Sequence, residues 1–210
     1  MVYCKSKGGV AVKNVIFDFG QVIVYFNEGN MTKRYFSNDE ECETVSKVIF
    51  DRLYWDRFDD GSLSPSDAKP MMAKRLPPQL HEKAFTLLGK WYYDLEFIPG
   101  MRELIADLKQ SGKGIYLLSN VGVDFAENYT KVSALAELFS LFDGLVFSSK
   151  IRKTKPSREA FEHLLKEYNL NPADCVFVDD REVNIIGAEK AGIKGILFGG
   201  DSDLLRRQIL

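Results

Sequence analysis

Residues 14–23 read NVIFDFGQVI: four residues of strand-like sequence stop at Asp18, and a glycine, Gly20, follows two positions later. A carboxylate is costly to bury, so its place at the end of an apolar run needs a reason. The same figure recurs downstream. GIYLLSN at 114–120 closes on Ser119 and Asn120, and CVFVDD at 175–180 closes on Asp179 and Asp180. Two further runs, GLVFSSK at 144–150 and KGILFGG at 194–200, share the richness in Val, Ile, Leu and Phe. Between them lie helical patterns. MRELIADLKQSGK at 101–113 puts Met101, Leu104, Ile105 and Leu108 on one face, with Gly112 as a stop. Residues 156–168 read as a helix with Phe161, Leu164 and Leu165 inward, and EVNIIGAEKAG at 182–192 as another. Five short strands separated mostly by helices predict an α/β protein, with a Rossmann-like, doubly wound parallel sheet covered on both faces.

The segment from about Asn27 to Phe97 breaks the alternation. It is rich in aromatic and charged residues, with helical patches at CETVSKVIFDRLYW and LHEKAFTLLGKWYYDL and breaks at DDGSLSPSD and LPPQ. The expected organisation is therefore a core made of residues 12–26 and 98–210, with a small α-helical cap at 27–97. Aromatics in and beside the cap, Tyr25, Phe26, Tyr54, Trp55, Phe58, Trp91 and Tyr92, are candidates for a pocket lining, although helical core packing accounts for most of them.

Composition narrows the setting. A chain of 210 residues with net charge -2 and no long block of one sign has no electrostatic footprint for nucleic acid or an anionic membrane. Cys4, Cys42 and Cys175 are odd in number and lack metal-ligand spacing, which suggests reduced thiols in a cytoplasm. The basic N-terminal stretch has only GVAV as an apolar segment, and no run approaches the ~18 residues that span a bilayer. The expectation is a soluble, cytoplasmic protein with a loose leader.

Asp18, Ser119 with Asn120, and Asp179 with Asp180 each follow the carboxyl end of a predicted strand, and Lys155 follows a fourth after a short loop. In open parallel sheets the ligand crevice lies outside those ends, so four separate stretches converge. Singly, each has a plainer reading. Asp18 fits a turn, Asp179 to Glu182 fits a D-x-x-E capping box, Ser119-Asn120 fits a strand-to-helix turn, and KIRKTK fits a solvated loop. Pro156, however, favours a helix start that aims Lys155 and a helix N-terminus at one place. His81 and His163 lie in helices away from the strand ends, which argues against histidine chemistry. Together the set has a logic: a carboxylate attacking a phosphoryl dianion needs the charge between them neutralised. Asp18, Asp179 and Asp180 can hold magnesium, while Lys155, Ser119 and Asn120 hold phosphoryl oxygens.

FDFGQVI at 17–23, LLSN at 117–120, KPSREAF at 155–161 and VFVDDREVNIIGAEKAG at 176–192 resemble the motifs of the haloacid dehalogenase-like (HAD) hydrolases, in family order. FIPGMRELIADLK at 97–109 looks like the segment that re-enters the core after the cap. The resemblance implies Asp18 as a nucleophile that forms an aspartyl-phosphate. It also implies magnesium held by Asp18, the carbonyl of Gly20 and Asp180, with Asp179 close by, and Ser119 and Lys155 on phosphate. The chain departs from the family's D-x-D pattern at Gly20, where the second aspartate would protonate the leaving group. The DFGQV form is similar to the branch with alpha-D-glucose-1-phosphate phosphatases, which implies a substrate that leaves easily, such as an anomeric sugar phosphate.

Three functions fit these motifs. The first is a magnesium-dependent phosphatase acting on a small phosphorylated metabolite. The second is a metal-free 2-haloacid dehalogenase, which has no need of the acidic pair of CVFVDD. The third is a non-catalytic phosphate-binding protein, which the missing acid would suit. Oligomeric state is not readable from the sequence.

Overall fold

The structure, a computed structural model, describes residues 12–210; Cys4 and most of the N-terminal leader fall outside the described residues. The first strand, β1, is Asn14–Phe17, and five helices follow it: α1 Glu28–Lys33, α2 Asp39–Ile49, α3 Arg52–Asp59, α4 Pro65–Ala73 and α5 His81–Lys90. The chain then alternates: α6 Met101–Gln110, β2 Gly114–Ser119, α7 Val123–Asn128, α8 Ser133–Phe139, β3 Gly144–Phe147, α9 Ser148–Ile151 and α10 Arg158–Glu167. It closes with β4 Cys175–Asp179, α11 Glu182–Lys190, β5 Lys194–Leu197 and α12 Ser202–Ile209. No helix among the described residues is long and apolar enough to cross a membrane.

All strand pairs are parallel, in the order β3-β2-β1-β4-β5, as the alternation predicts. β1 is central: Phe17 stands between Leu117 and Val178, and the Asp18 amide extends the ladder by donating to the Val178 carbonyl at 2.9 Å. The strands divide their side chains by the two-residue period. Val15, Phe17, Ile115, Leu117, Val176 and Val178 pack on one face with α6, α12 and the inserted helices. Ile16, Tyr116, Leu118, Phe177 and Cys175 pack on the other, against α10 and α11. This two-sided burial is why the strands read as continuous apolar runs rather than alternating ones. The close fit also explains Gly144, where a Cβ would run into the Tyr168 ring.

Two sequence expectations are corrected. GLVFSSK is a strand only to Phe147; the chain then turns into α9 at Ser148, whose hydroxyl accepts from the Val121 amide at 2.9 Å. Pro156 does not start a helix: α10 begins at Arg158 after the N-cap Ser157.

The five helices between β1 and α6 leave and rejoin the sheet side by side. Tyr25 donates its amide to the Glu96 carbonyl at 2.8 Å, Ile98 to that of Ile23 at 2.9 Å, and Val24 forms an antiparallel bridge with Phe97.

Candidate active site

β1 is flanked by β2 and β4, and the chain runs out to β3 on one side and to β5 on the other. The crevice at the carboxyl ends of these three strands is therefore the topological switch point of the sheet. A cavity of about 190 Å³ opens there. Asp18, Gly20, Ser119, Asn120, Lys155 and Asp180 all line it, so the polar strand ends that the sequence singled out meet at one place.

Lys155 sits at its floor, 3% exposed, which sets aside the solvated-loop reading. Its Nζ lies 2.7 Å from Asp18 Oδ1 and 2.8 Å from Asp179 Oδ2. Burial pushes the ammonium's pKa down, but the two carboxylates outweigh it and hold the group above the ordinary lysine value. Burial likewise raises the Asp18 carboxyl to about 6, against the pull of Lys155 and with a further push from Asp179.

The backbone of Lys155 is fixed by Asn120. The Asn120 amide accepts from the Lys155 N–H at 2.8 Å and donates to its carbonyl at 2.9 Å, so most of its bonding capacity goes to holding the lysine. Ser119, buried at the end of β2, lines the cavity beside it.

Asp179 is fully buried, and both of its oxygens are taken. Oδ1 accepts from the Arg181 amide at 2.9 Å, Oδ2 from Lys155, and the Asn184 Nδ2 donates to both oxygens at 3.0 Å. The capping-box reading fails here, because the N-cap of α11 is Arg181 and Asp179 bonds inward. Asp180, by contrast, faces the cavity half-buried, and burial together with the charge of Asp179 raises its pKa.

One oxygen from each of Asp18, Asp179 and Asp180 can be chosen so that all lie within 4.8 Å of one another. Next to them the Asn184 Oδ1 is buried without a partner among the described residues. Its orientation follows from the two bonds its Nδ2 gives to a carboxylate. An all-oxygen donor set with an orphaned acceptor suits a hard divalent cation and its waters.

A further part of the lining is aromatic, and three of the side chains expected as pocket candidates stand in it. Phe26, Trp55 and Trp91 form a triangle with ring centroids 5.3–5.5 Å apart and line the cavity together with Phe19 and Val121. Tyr54, Phe58 and Tyr92 are buried in the core instead, and Tyr25 is exposed. Arg52 and Asp59, from the two ends of α3, and Arg181 complete the polar lining. None of Arg52, Asp59, Arg181 or Asn184 stood out in the sequence. For Asn184 a signal existed: DDREVN places an amide one turn into the helix after the acidic pair, where it can reach back.

Asp59 is 8% exposed, and burial raises its carboxyl to about 7 against the pull of Arg52, with Asp56 and Asp18 pushing further and Lys155 opposing them. A raised carboxylate pKa means that the folded protein holds a proton that the unfolded chain has released. Stability contributed by the neutral acid is present below about pH 4 and is lost as pH rises towards 7. Asp59→Asn is therefore expected to stabilise the metal-free protein at pH 8 by on the order of a few kcal/mol and by much less at pH 5, as read by urea unfolding at the two pH values.

A parallel α/β sheet with a polar cavity at the carboxyl ends of its central strands is the architecture of the Rossmann-like hydrolases. Residues 12–192 match the model of the haloacid dehalogenase-like hydrolases, and the chain belongs to that family. It is an enzyme, a HAD-like phosphatase. The chain is 26% identical over 187 residues to a sesquiterpene phosphatase of Aspergillus oryzae, covering 88% of each chain. It is 24% identical over 189 residues to a D-ribitol-5-phosphate phosphatase of Bacteroides thetaiotaomicron, covering 85% of this chain and 88% of that one. Among solved structures, a HAD family enzyme of Bacteroides thetaiotaomicron in a magnesium complex superposes with a TM-score of 0.70 at 20% identity, over 94% of this chain and 99% of the other.

Proposed function

We propose that the protein is a magnesium-dependent phosphatase that hydrolyses a small phosphorylated metabolite through an aspartyl-phosphate on Asp18. The observation that carries this reading is the meeting of Asp18, Asp179, Asp180 and Lys155 at one cavity floor. Asp18, the Gly20 carbonyl and Asp180 would hold the cation directly, and Asp179, whose oxygens are already bonded, through water. Bound there, magnesium would neutralise charge between the attacking carboxylate and the phosphoryl group. Lys155, Ser119 and the remaining donor capacity of Asn120 hold the phosphoryl oxygens, and Lys155 keeps Asp18 pointed at the phosphorus. The helices over residues 27–97 serve as the cap of a core built from 12–26 and 98–210. The buried, unpaired Cys42 and Cys175 support a cytoplasmic setting.

For the substrate we infer a sugar phosphate of the glucose-1-phosphate kind. Gln21, Arg52, Asp59 and Arg181 offer partners to hydroxyls, and the Trp55–Trp91 wall offers a flat face to ring C–H groups. A second reading, an isoprenoid alkyl phosphate, is favoured by the five apolar and aromatic side chains of the lining, Phe19, Phe26, Trp55, Trp91 and Val121. Turnover of glucose-1-phosphate, glucose-6-phosphate, ribitol-5-phosphate and farnesyl phosphate at equal concentration separates them. The first reading expects glucose-1-phosphate to lead, and the second farnesyl phosphate.

The metal has its own test. Chelator is expected to abolish p-nitrophenyl phosphate turnover and magnesium to restore it, whereas a dehalogenase would be indifferent to both. Asp180→Ala should raise the magnesium concentration for half-maximal turnover by more than about 100-fold and Asp179→Asn by about 10-fold, if the second acts through water. The reverse order would exchange their roles.

A further inference from the structure

Gly20 cannot protonate a leaving group, yet the chamber contains one carboxyl that neither the metal set nor the phosphate contacts use. Asp59 reaches it from the end of α3 and lines the same cavity as Asp18. Among the described residues no hydrogen bond or ion pair involves its carboxyl group, although the residue is only 8% exposed.

Its position is set by the sheet rather than by α3 alone. The Ser148 hydroxyl, at the end of β3, donates to the Asp59 carbonyl at 2.6 Å. Two residues on, Gly61 has φ +73°, and a Cβ there would stand 2.5 Å from the Ser149 carbonyl, so the chain passes in close contact with α9. On the other side, a Cβ on Gly122 would come within 3.2 Å of Phe58 Cβ. The end of α3 is thus seated between the loop that follows β2 and helix α9, which holds Asp59 at the chamber.

We propose that Asp59 is the general acid and base of this phosphatase, supplied by the inserted helices in place of the missing aspartate at position 20; this rests on the phosphatase reading above. In the first step an Asp18 oxygen bonds to phosphorus as the bond from phosphorus to the leaving oxygen breaks. That oxygen keeps the electron pair, takes the Asp59 proton and departs as an alcohol. In the second step the Asp59 carboxylate takes a proton from water as the water oxygen bonds to phosphorus. The bond from Asp18 to phosphorus breaks, inorganic phosphate leaves, and Asp59 is an acid again. The elevated pKa described above suits a group that must give up a proton and regain it near neutral pH. Arg52 and Asp56 on α3, Asp18 at the end of β1 and Lys155 are the charges that set it.

The test compares p-nitrophenyl phosphate, whose leaving group needs no proton, with an alkyl phosphate, whose leaving group does, both with magnesium. The wild type should show a shallow dependence on the leaving group. Asp59→Asn should lose about 10²-fold on the alkyl phosphate. On p-nitrophenyl phosphate it should release a burst of about one nitrophenolate per enzyme, because the phospho-enzyme then lacks its base. Gly20→Asp in that background should restore alkyl phosphate turnover at least about tenfold, since among the described residues only Phe26 Cβ, at 3.8 Å, would face the new Cβ. Turnover of both esters within about twofold of wild type, or equal loss on both without a burst, would overturn the assignment while leaving the phosphatase reading intact. Should Asp59→Asn not fold, as judged by circular dichroism, the wild-type series decides: a steep leaving-group dependence overturns the assignment and a shallow one upholds it. No turnover of any ester by the wild type with magnesium overturns both.

Discussion

Asp18→Asn is expected to leave a folded protein whose turnover of any phosphate ester is lower by at least about 10⁴-fold, because an amide neither attacks phosphorus nor carries the charge a cation answers. The fold should survive, since Lys155 keeps Asp179 as its partner and the Asp18 backbone bond to Val178 does not depend on the side chain. Aluminium fluoride or beryllofluoride soaked into the wild type with magnesium should place its central atom against an Asp18 oxygen. Retention of more than about one per cent of wild-type turnover by a folded Asp18→Asn would remove Asp18 from the role of nucleophile.

Replacing the lysine should act on stability and chemistry together. Lys155→Met keeps much of the volume but leaves Asp18 and Asp179 facing each other in a buried site without the cation between them. Loss of one partner from such a cluster costs about 3–5 kcal/mol. In chelator this amounts to a fall in Tm of roughly 6–20 °C for a chain of this size. Turnover should drop by about 10²–10³-fold from the lost phosphoryl contact. Magnesium should raise the Tm of Lys155→Met more than that of the wild type, because the ion then supplies positive charge that the lysine no longer does. Equal shifts in the two proteins would show that lysine and metal do not share the same carboxylates.

The parts of this site that were legible in the sequence are those attached to strand ends. An apolar run of Val, Ile, Leu and Phe announces a doubly buried strand, and the polar residue closing it must then sit at the crevice, as Asp18, Ser119 and Asp180 do. What stayed hidden has a different physical origin. In RLYWDRFD, Arg52 and Asp59 look like the solvent side of an amphipathic helix. Asp59 is buried only because α3 docks on Ser148, Ser149 and Gly122, residues some sixty to ninety positions away, a contact that no local period records. The overlong strand GLVFSSK has a similar cause: Ser148 and Ser149 carry on an extended-looking run, but tertiary bonds to Val121 and Asp59 recruit Ser148 into a turn. Lys155 could be placed at the crevice but not buried by inspection, since its burial comes from Asn120 gripping the backbone on both sides.

The paired crossing at Val24 and Phe97 bears on how such an enzyme can diverge. Because the chain departs and returns through neighbouring, hydrogen-bonded positions, the sheet registers no difference between a short excursion and a long one. Doubling the length of a closed loop costs only about 0.6 kcal/mol. The excursion can therefore be rebuilt freely in length and composition, with one constraint. With Asp59 as its proton donor, a new lining that moved the end of α3 off Ser148 would widen the choice of molecules and silence the reaction in the same step, so recognition and turnover in this chain must evolve as a single trait.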